Sequence, residues 1–120
     1  MFPTKRSVES TNRNIKETLT SRKDIRELFQ TGRRVSTFPI TLVFKENGSD
    51  QNRYLYCPER SVRLAVHRNR IKRRLRAAIS DLEPEMNQGF DLAILAKPKL
   101  LEIGYPELLS CLGSLLAKVR

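Results

Sequence analysis

The sequence is poor in the residues that build protein-based active sites, with one histidine, His67, and two cysteines, Cys57 and Cys111, among 120 residues. The cysteines stand far apart with no C-x-x-C spacing, so a zinc site or a disulfide framework lacks its ligand set, and both read as small packing residues. His67 sits among cations without a Ser-His-Asp, Cys-His or phosphate-loop pattern, which makes it a helix-start residue rather than a catalyst. No catalytic residue and no metal ligand is therefore assigned to the protein. An apolar run of the roughly 20 residues that a membrane span needs is also missing, and Met1 to Lys16 lacks the hydrophobic stretch of a secretory signal. The expectation is a soluble, cytoplasmic protein without a membrane partner.

Negative charge is scarce too. Asp plus Glu number 13 against 23 Lys plus Arg, a formal charge of +10 in a chain with room for one domain. Such an excess speaks about partners, and nucleic acid is the commonest polyanion that needs it, because each neutralised phosphate releases condensed counterions. The excess is localised. From Arg60 to Arg76 there are eight cations (Arg60, Arg63, Arg68, Arg70, Lys72, Arg73, Arg74 and Arg76) and no acid. With Ile71 at zero on a helical wheel, Asn69, Lys72, Arg73 and Arg76 fall at about 160°, 100°, 200° and 140°, a stripe opposite the apolar one. Solvated helix faces usually interleave Glu with Lys, and like charges at i, i+4 cost a few tenths of a kcal/mol each. None is interleaved here, so the stripe reads as a nucleic-acid surface, with Arg suited to bidentate phosphate contact. Charge alone does not separate RNA from DNA.

The remaining pattern is that of an α+β sandwich: a small mixed sheet with three packed helices in the order α-β-β-(β)-α-β-α, in two layers. Residues 1–17 are polar without a hydrophobic period and read as a flexible basic arm, residues 18–120 as a single nucleic-acid-binding domain. Thr20 or Ser21 can cap a helix carrying Ile25, Leu28 and Phe29, with Gly32 where a C-terminal glycine belongs. Phe38 to Glu46 alternates and Arg53 to Cys57 is extended; with Asn47-Gly48 between them they predict an antiparallel pair, ended by Pro58. Ile71, Leu75, Ala78, Ile79 and Leu82 form one stripe of a helix from about Val66 to Leu82 that Pro84 stops. Phe90 to Ala96 reads as a buried strand, and Pro106 opens a last helix with Leu108, Leu109, Leu112, Leu115, Leu116 and Val119 on one face. No internal repeat is visible.

Within this frame Ala65-Val66-His67-Arg68-Asn69-Arg70-Ile71-Lys72-Arg73-Arg74-Leu75-Arg76 resembles the signature segment of the bacterial ribonuclease P protein family, with its R-N-R-x-K-R-x-x-R core complete. The resemblance extends to Asp24 through Gly32 and to Phe90 through Ala96, roughly residues 18 to 118 in order. It implies a protein subunit of the endoribonuclease that removes the 5′ leader from precursor tRNA, with Mg²⁺ and the cutting held by the RNA subunit and its substrate, and with those two RNAs, not DNA, as partners. By resemblance Arg60, Arg68, Asn69, Arg70, Lys72, Arg73 and Arg76 contact RNA, and Phe29 lines a cleft for the leader, although an aromatic at that spacing from Ile25 is on residue type alone a core residue. The resemblance also implies that the motif helix joins two parallel strands. The chain departs from the family pattern at Ile25, where a second aromatic is usual, at Arg60-Ser61 in place of a lysine pair, at Arg63 in place of a glycine, and over Tyr54–Pro58. The rival reading is a non-catalytic structural RNA-binding protein such as a ribosomal one; a zipper-type DNA reader is removed by Pro84, which ends the helix after the basic run.

Overall fold

The computed structural model describes residues 17–19 and 21–120. In chain order they form β1 (Glu17–Thr18), α1 (Arg22–Thr31), β2 (Arg33–Thr37), β3 (Ile40–Glu46), β4 (Arg53–Pro58), α2 (Ala65–Leu82), β5 (Phe90–Ala96) and α3 (Tyr105–Leu116), with short 3-10 turns at Glu83–Glu85 and Pro98–Leu101. The expected arm lies, apart from Glu17, outside the described residues. Three helices pack on one mixed sheet, as expected, and the helix ended before Pro84 and the buried strand after Gly89 stand where the pattern put them.

The strand order is β1-β4-β5-β3-β2. It overturns the expected pairing of β3 with β4: β5 lies between them, antiparallel to β3 (Val43 opposite Ala93) and parallel to β4 (Leu55 opposite Ala93). Residue pattern marks each strand but not its neighbour, and β5, apolar on both faces, takes the central place. The antiparallel neighbour of β3 is instead β2, a strand that the sequence reading did not place because Arg33-Arg34-Val35-Ser36-Thr37 is polar and lies at the sheet edge. Asn52 closes the opening left at the β3–β4 connection. Its buried side chain donates to the Asn87 carbonyl at 3.0 Å and accepts from the Phe90 N–H at 2.8 Å, joining the entry of β4 to that of β5.

One face of the sheet, with Leu42, Phe44, Tyr54, Leu92 and Ile94, packs against Ile71, Leu75, Ala78 and Ile79 of α2 and Leu108, Leu112, Leu115 and Leu116 of α3. The other face presents Val43 and Ala93 to Leu28 of α1, with Ile25 and Phe29 partly buried beside them. Ser21 caps α1 by accepting from the Asp24 N–H at 3.3 Å. Asp24 then reaches Arg53 at 3.3 Å, and Arg53 donates two bonds of 2.8 Å to Asp91 on β5.

Gly32 follows α1 as expected, but its backbone is extended (φ −70°) rather than left-handed, so close approach and not conformational freedom requires it. Its N–H donates to the Leu28 carbonyl at 2.8 Å, and a Cβ there would collide with that oxygen and stand 3.0 Å from Val43 Cγ1. Gly32→Ala is expected to destabilise the fold by about 1–3 kcal/mol through this overpacking. Gly113→Ala, inside α3 with only an ordinary 3.6 Å contact to Leu82, is expected to stabilise it by up to about 1 kcal/mol. Urea unfolding midpoints of the two variants measure the contrast.

Candidate nucleic-acid interface

Burial of Ile71, Leu75, Ala78 and Ile79 sets the rotation of α2 and so turns the opposite stripe outward. Val66, Asn69, Lys72, Arg73 and Arg76 line one shallow open depression, which brings together the four residues that the helical wheel grouped. Arg70 lies on the other flank, with Arg73, Arg74, Ala77 and Tyr105. Arg60 is exposed in the connection between β4 and α2. Among the described residues Arg60, Arg70, Lys72 and Arg73 make no hydrogen bond or ion pair with the protein.

Two arginines of the basic run are turned inward. Arg68 is half-buried and donates to the carbonyls of Val62 at 2.9 Å, Glu59 at 3.3 Å and Pro58 at 3.4 Å, closing the connection that leads from β4 into α2. Arg74 donates to the carbonyls of Leu100 at 2.5 Å and Ile103 at 2.8 Å, tying α2 to the turn before α3. Both satisfy carbonyls that fold up far from them in sequence, so a charge count has no means of separating them from their neighbours. The planar five-donor guanidinium suits bridging several carbonyls at once.

Arg76 is held from below, its guanidinium 5.4 Å from the centre of the Tyr56 ring. Tyr56 stacks on Tyr54 at 6.3 Å, and the Tyr54 hydroxyl donates to Glu83 at 3.0 Å. Burial pushes the Tyr56 phenol up to about 12 against the lowering effect of Arg76, and burial likewise raises Tyr54.

On the opposite face of the sheet Phe29 meets both of its readings. It packs beside Leu28 and Val43 while remaining partly exposed, and the Arg34 guanidinium stands 5.9 Å over its ring. Arg34 was missed by sequence reasoning; its one signal is a register, opposite Val43, that exists only once β2 pairs with β3. Thr41, Leu55, Cys57 and Leu95 continue this face, each partly exposed. His67 is exposed in the first turn of α2 and has no partner among the described residues. Cys57 and Cys111 are free and partly buried, and burial raises the Cys57 thiol against the pull of Lys72 and Arg68. Among the described residues no three of His, Cys, Asp and Glu converge on a position that could hold a metal ion, and no helix is long and apolar enough to cross a membrane.

A family model described as Ribonuclease P matches residues 14–120. A ribonuclease P protein component of Syntrophomonas wolfei is 31% identical over 75 residues, covering 62% of this chain and 63% of that protein. One of Symbiobacterium thermophilum is 33% identical over 91 residues, covering 75% of this chain and 79% of that protein. Among solved structures, the RNase P protein of Thermotoga maritima superposes with a TM-score of 0.79 at 22% identity, covering 88% of this chain and 99% of that one, and so shares the fold.

Arg68→Lys is expected to lower stability by about 1 kcal/mol, since one ammonium cannot replace a fork shared among three carbonyls, whereas Lys72→Gln should leave the urea midpoint of the free protein unchanged. The tyrosines set a second expectation. Between pH 10 and about 12 the unfolded chain loses phenolic protons that the folded chain keeps on Tyr56, so stability present below pH 10 is lost as pH rises through that window. Tyr56→Phe should flatten the fall, and unfolding midpoints across the same pH range check it.

Proposed function

Because the chain belongs to the ribonuclease P protein family, we propose that it is the protein subunit of the ribonucleoprotein endoribonuclease that removes the 5′ leader of precursor tRNA, acting in the cytoplasm. The observation that carries the reading is the outward row of cations on α2, Arg70, Lys72, Arg73 and Arg76, which among the described residues make no hydrogen bond or ion pair with the protein, while their neighbours Arg68 and Arg74 are spent on backbone carbonyls. Guanidinium and ammonium groups free of carboxylate partners, on a helix whose other face is buried, are arranged for backbone phosphates. Asn69, Arg70, Lys72, Arg73 and Arg76 bind the RNA subunit or adjoining substrate phosphates, Arg60 extends that surface, and Arg68 supports it by fixing the entry to α2. Phe29 under Arg34 supplies a stacking face and a cation for the single-stranded leader, on the sheet face away from α2. Mg²⁺ belongs to the RNA subunit and the substrate, where it supplies the charge for phosphodiester hydrolysis. The chain's own residues bind and orient the two RNAs.

The test is precursor-tRNA cleavage at low Mg²⁺ by a bacterial ribonuclease P RNA with and without the protein, mapping the cut. Protein-dependent cleavage at the mature 5′ end is expected; tight RNA binding with no response of cleavage would favour a structural RNA-binding protein instead. Replacing Lys72, Arg73 and Arg76 together by Gln should lower the salt slope of RNA binding by about three units, about one per lost phosphate contact. An unchanged slope in filter binding would remove these residues from the interface.

A further inference from the structure

The cations of α2 stand in two rows. Asn69, Lys72, Arg73 and Arg76 have the spacing i, i+3, i+4, i+7, and so do Arg70, Arg73, Arg74 and Ala77. Each row lines a depression of its own, and Arg73 is the residue common to both. The second depression has a wall from another element: Tyr105, the first residue of α3, whose hydroxyl donates to Asp81 at 2.6 Å. Arg74 is committed to the Leu100 and Ile103 carbonyls and stiffens that wall, which leaves Arg70 and Arg73 as the free cations. Ala77 is exposed and small, so a phosphate can approach the helix between them. One turn beyond, Asp81 ends the row with negative charge and limits the contact to a short stretch of backbone.

With Ile71 at zero, Lys72 and Arg70 project at about 100° and 260°, so they lie about 160° apart around a helix that with its side chains is roughly 10–12 Å across. One strand running along the helix meets one row; to meet both it has to wrap around the ridge at Arg73. We propose that the depression between α2 and the start of α3 is a second phosphate site, which takes the backbone of an RNA segment different from the one lying along Asn69, Lys72 and Arg76. Arg73 then stands between two RNA segments, and the motif helix acts as a spacer as well as an anchor. The proposal rests on the functional reading above.

The experiment is binding of the full chain to a bacterial ribonuclease P RNA as a function of salt, with phosphate-ethylation interference, for the unaltered chain and for Arg70→Gln, Lys72→Gln, Ala77→Glu and Ala77→Gln. Ala77 is exposed, and circular dichroism with urea unfolding verifies that each variant folds. Arg70→Gln and Lys72→Gln are each expected to lower the salt slope by about one unit and to abolish interference at different, non-adjacent phosphates. Ala77→Glu is expected to erase the phosphates that Arg70→Gln erases, while Ala77→Gln, similar in size and uncharged, keeps them. The proposal is overturned by Arg70→Gln and Ala77→Glu variants that keep the original slope and interference pattern, or by loss of the same phosphates in Arg70→Gln and Lys72→Gln. If the unaltered chain does not bind the RNA, the functional reading itself falls and this inference with it, a result distinct from equal slopes among variants that do bind.

Discussion

The molecule depends on β5 being covered from both sides. A strand of Phe90, Leu92 and Ile94 on one face and Ala93 and Leu95 on the other is buried everywhere but at Leu95, so it lies in the middle of the sheet with α2 and α3 on one side and α1 on the other. Its one charged residue, Asp91, is buried at 7% exposure, and a carboxylate there without a partner would cost several kcal/mol. Arg53 and Asn47 supply the partners, at 2.8 Å and 3.0 Å. The same Arg53 holds Asp24, so the ion network that makes β5 tolerable also fixes where α1 begins.

The position of the basic surface follows from this arrangement. Parallel neighbours require a crossover of about a dozen residues or more, and β4 and β5 are parallel. The segment between them is α2. Its apolar stripe must reach the sheet, so its cations must point away, and the row that faces outward is decided by Ile71, Leu75, Ala78 and Ile79 rather than by any property of the cations themselves. The helix starts at Leu64 with no side-chain cap and no acid in its first turn, which leaves the positive end of its dipole uncompensated and adds to the field of the arginines.

What was legible in the sequence is what one element decides alone. The extent of α2 and β5 follows from a period, a proline and a glycine, and the grouping of Asn69, Lys72, Arg73 and Arg76 follows from helix geometry. Pairing was not legible for β3 and β4, because neither strand carries a mark of the third that comes between them. Arg34 escaped notice because its strand is polar, and β1 is only two residues long. Arg68 and Arg74 look like Arg70 and Arg73 in any charge count; their difference lies in the carbonyls of Pro58, Glu59, Val62, Leu100 and Ile103, which reach them only in the folded chain.

Arg68 gives the signature segment two kinds of selection at once. At Arg68 and Arg74 the requirement is for a planar fork that satisfies backbone acceptors, a demand from within the protein that holds whether or not RNA is present. At Lys72, if it meets phosphate as proposed, the requirement is for positive charge on a long stem, which lysine and arginine both meet. Tolerance to exchange between lysine and arginine should therefore be uneven along a motif whose residues look equivalent on paper, and loss of RNA affinity on changing Arg68 would record the collapse of a scaffold as readily as the removal of a contact.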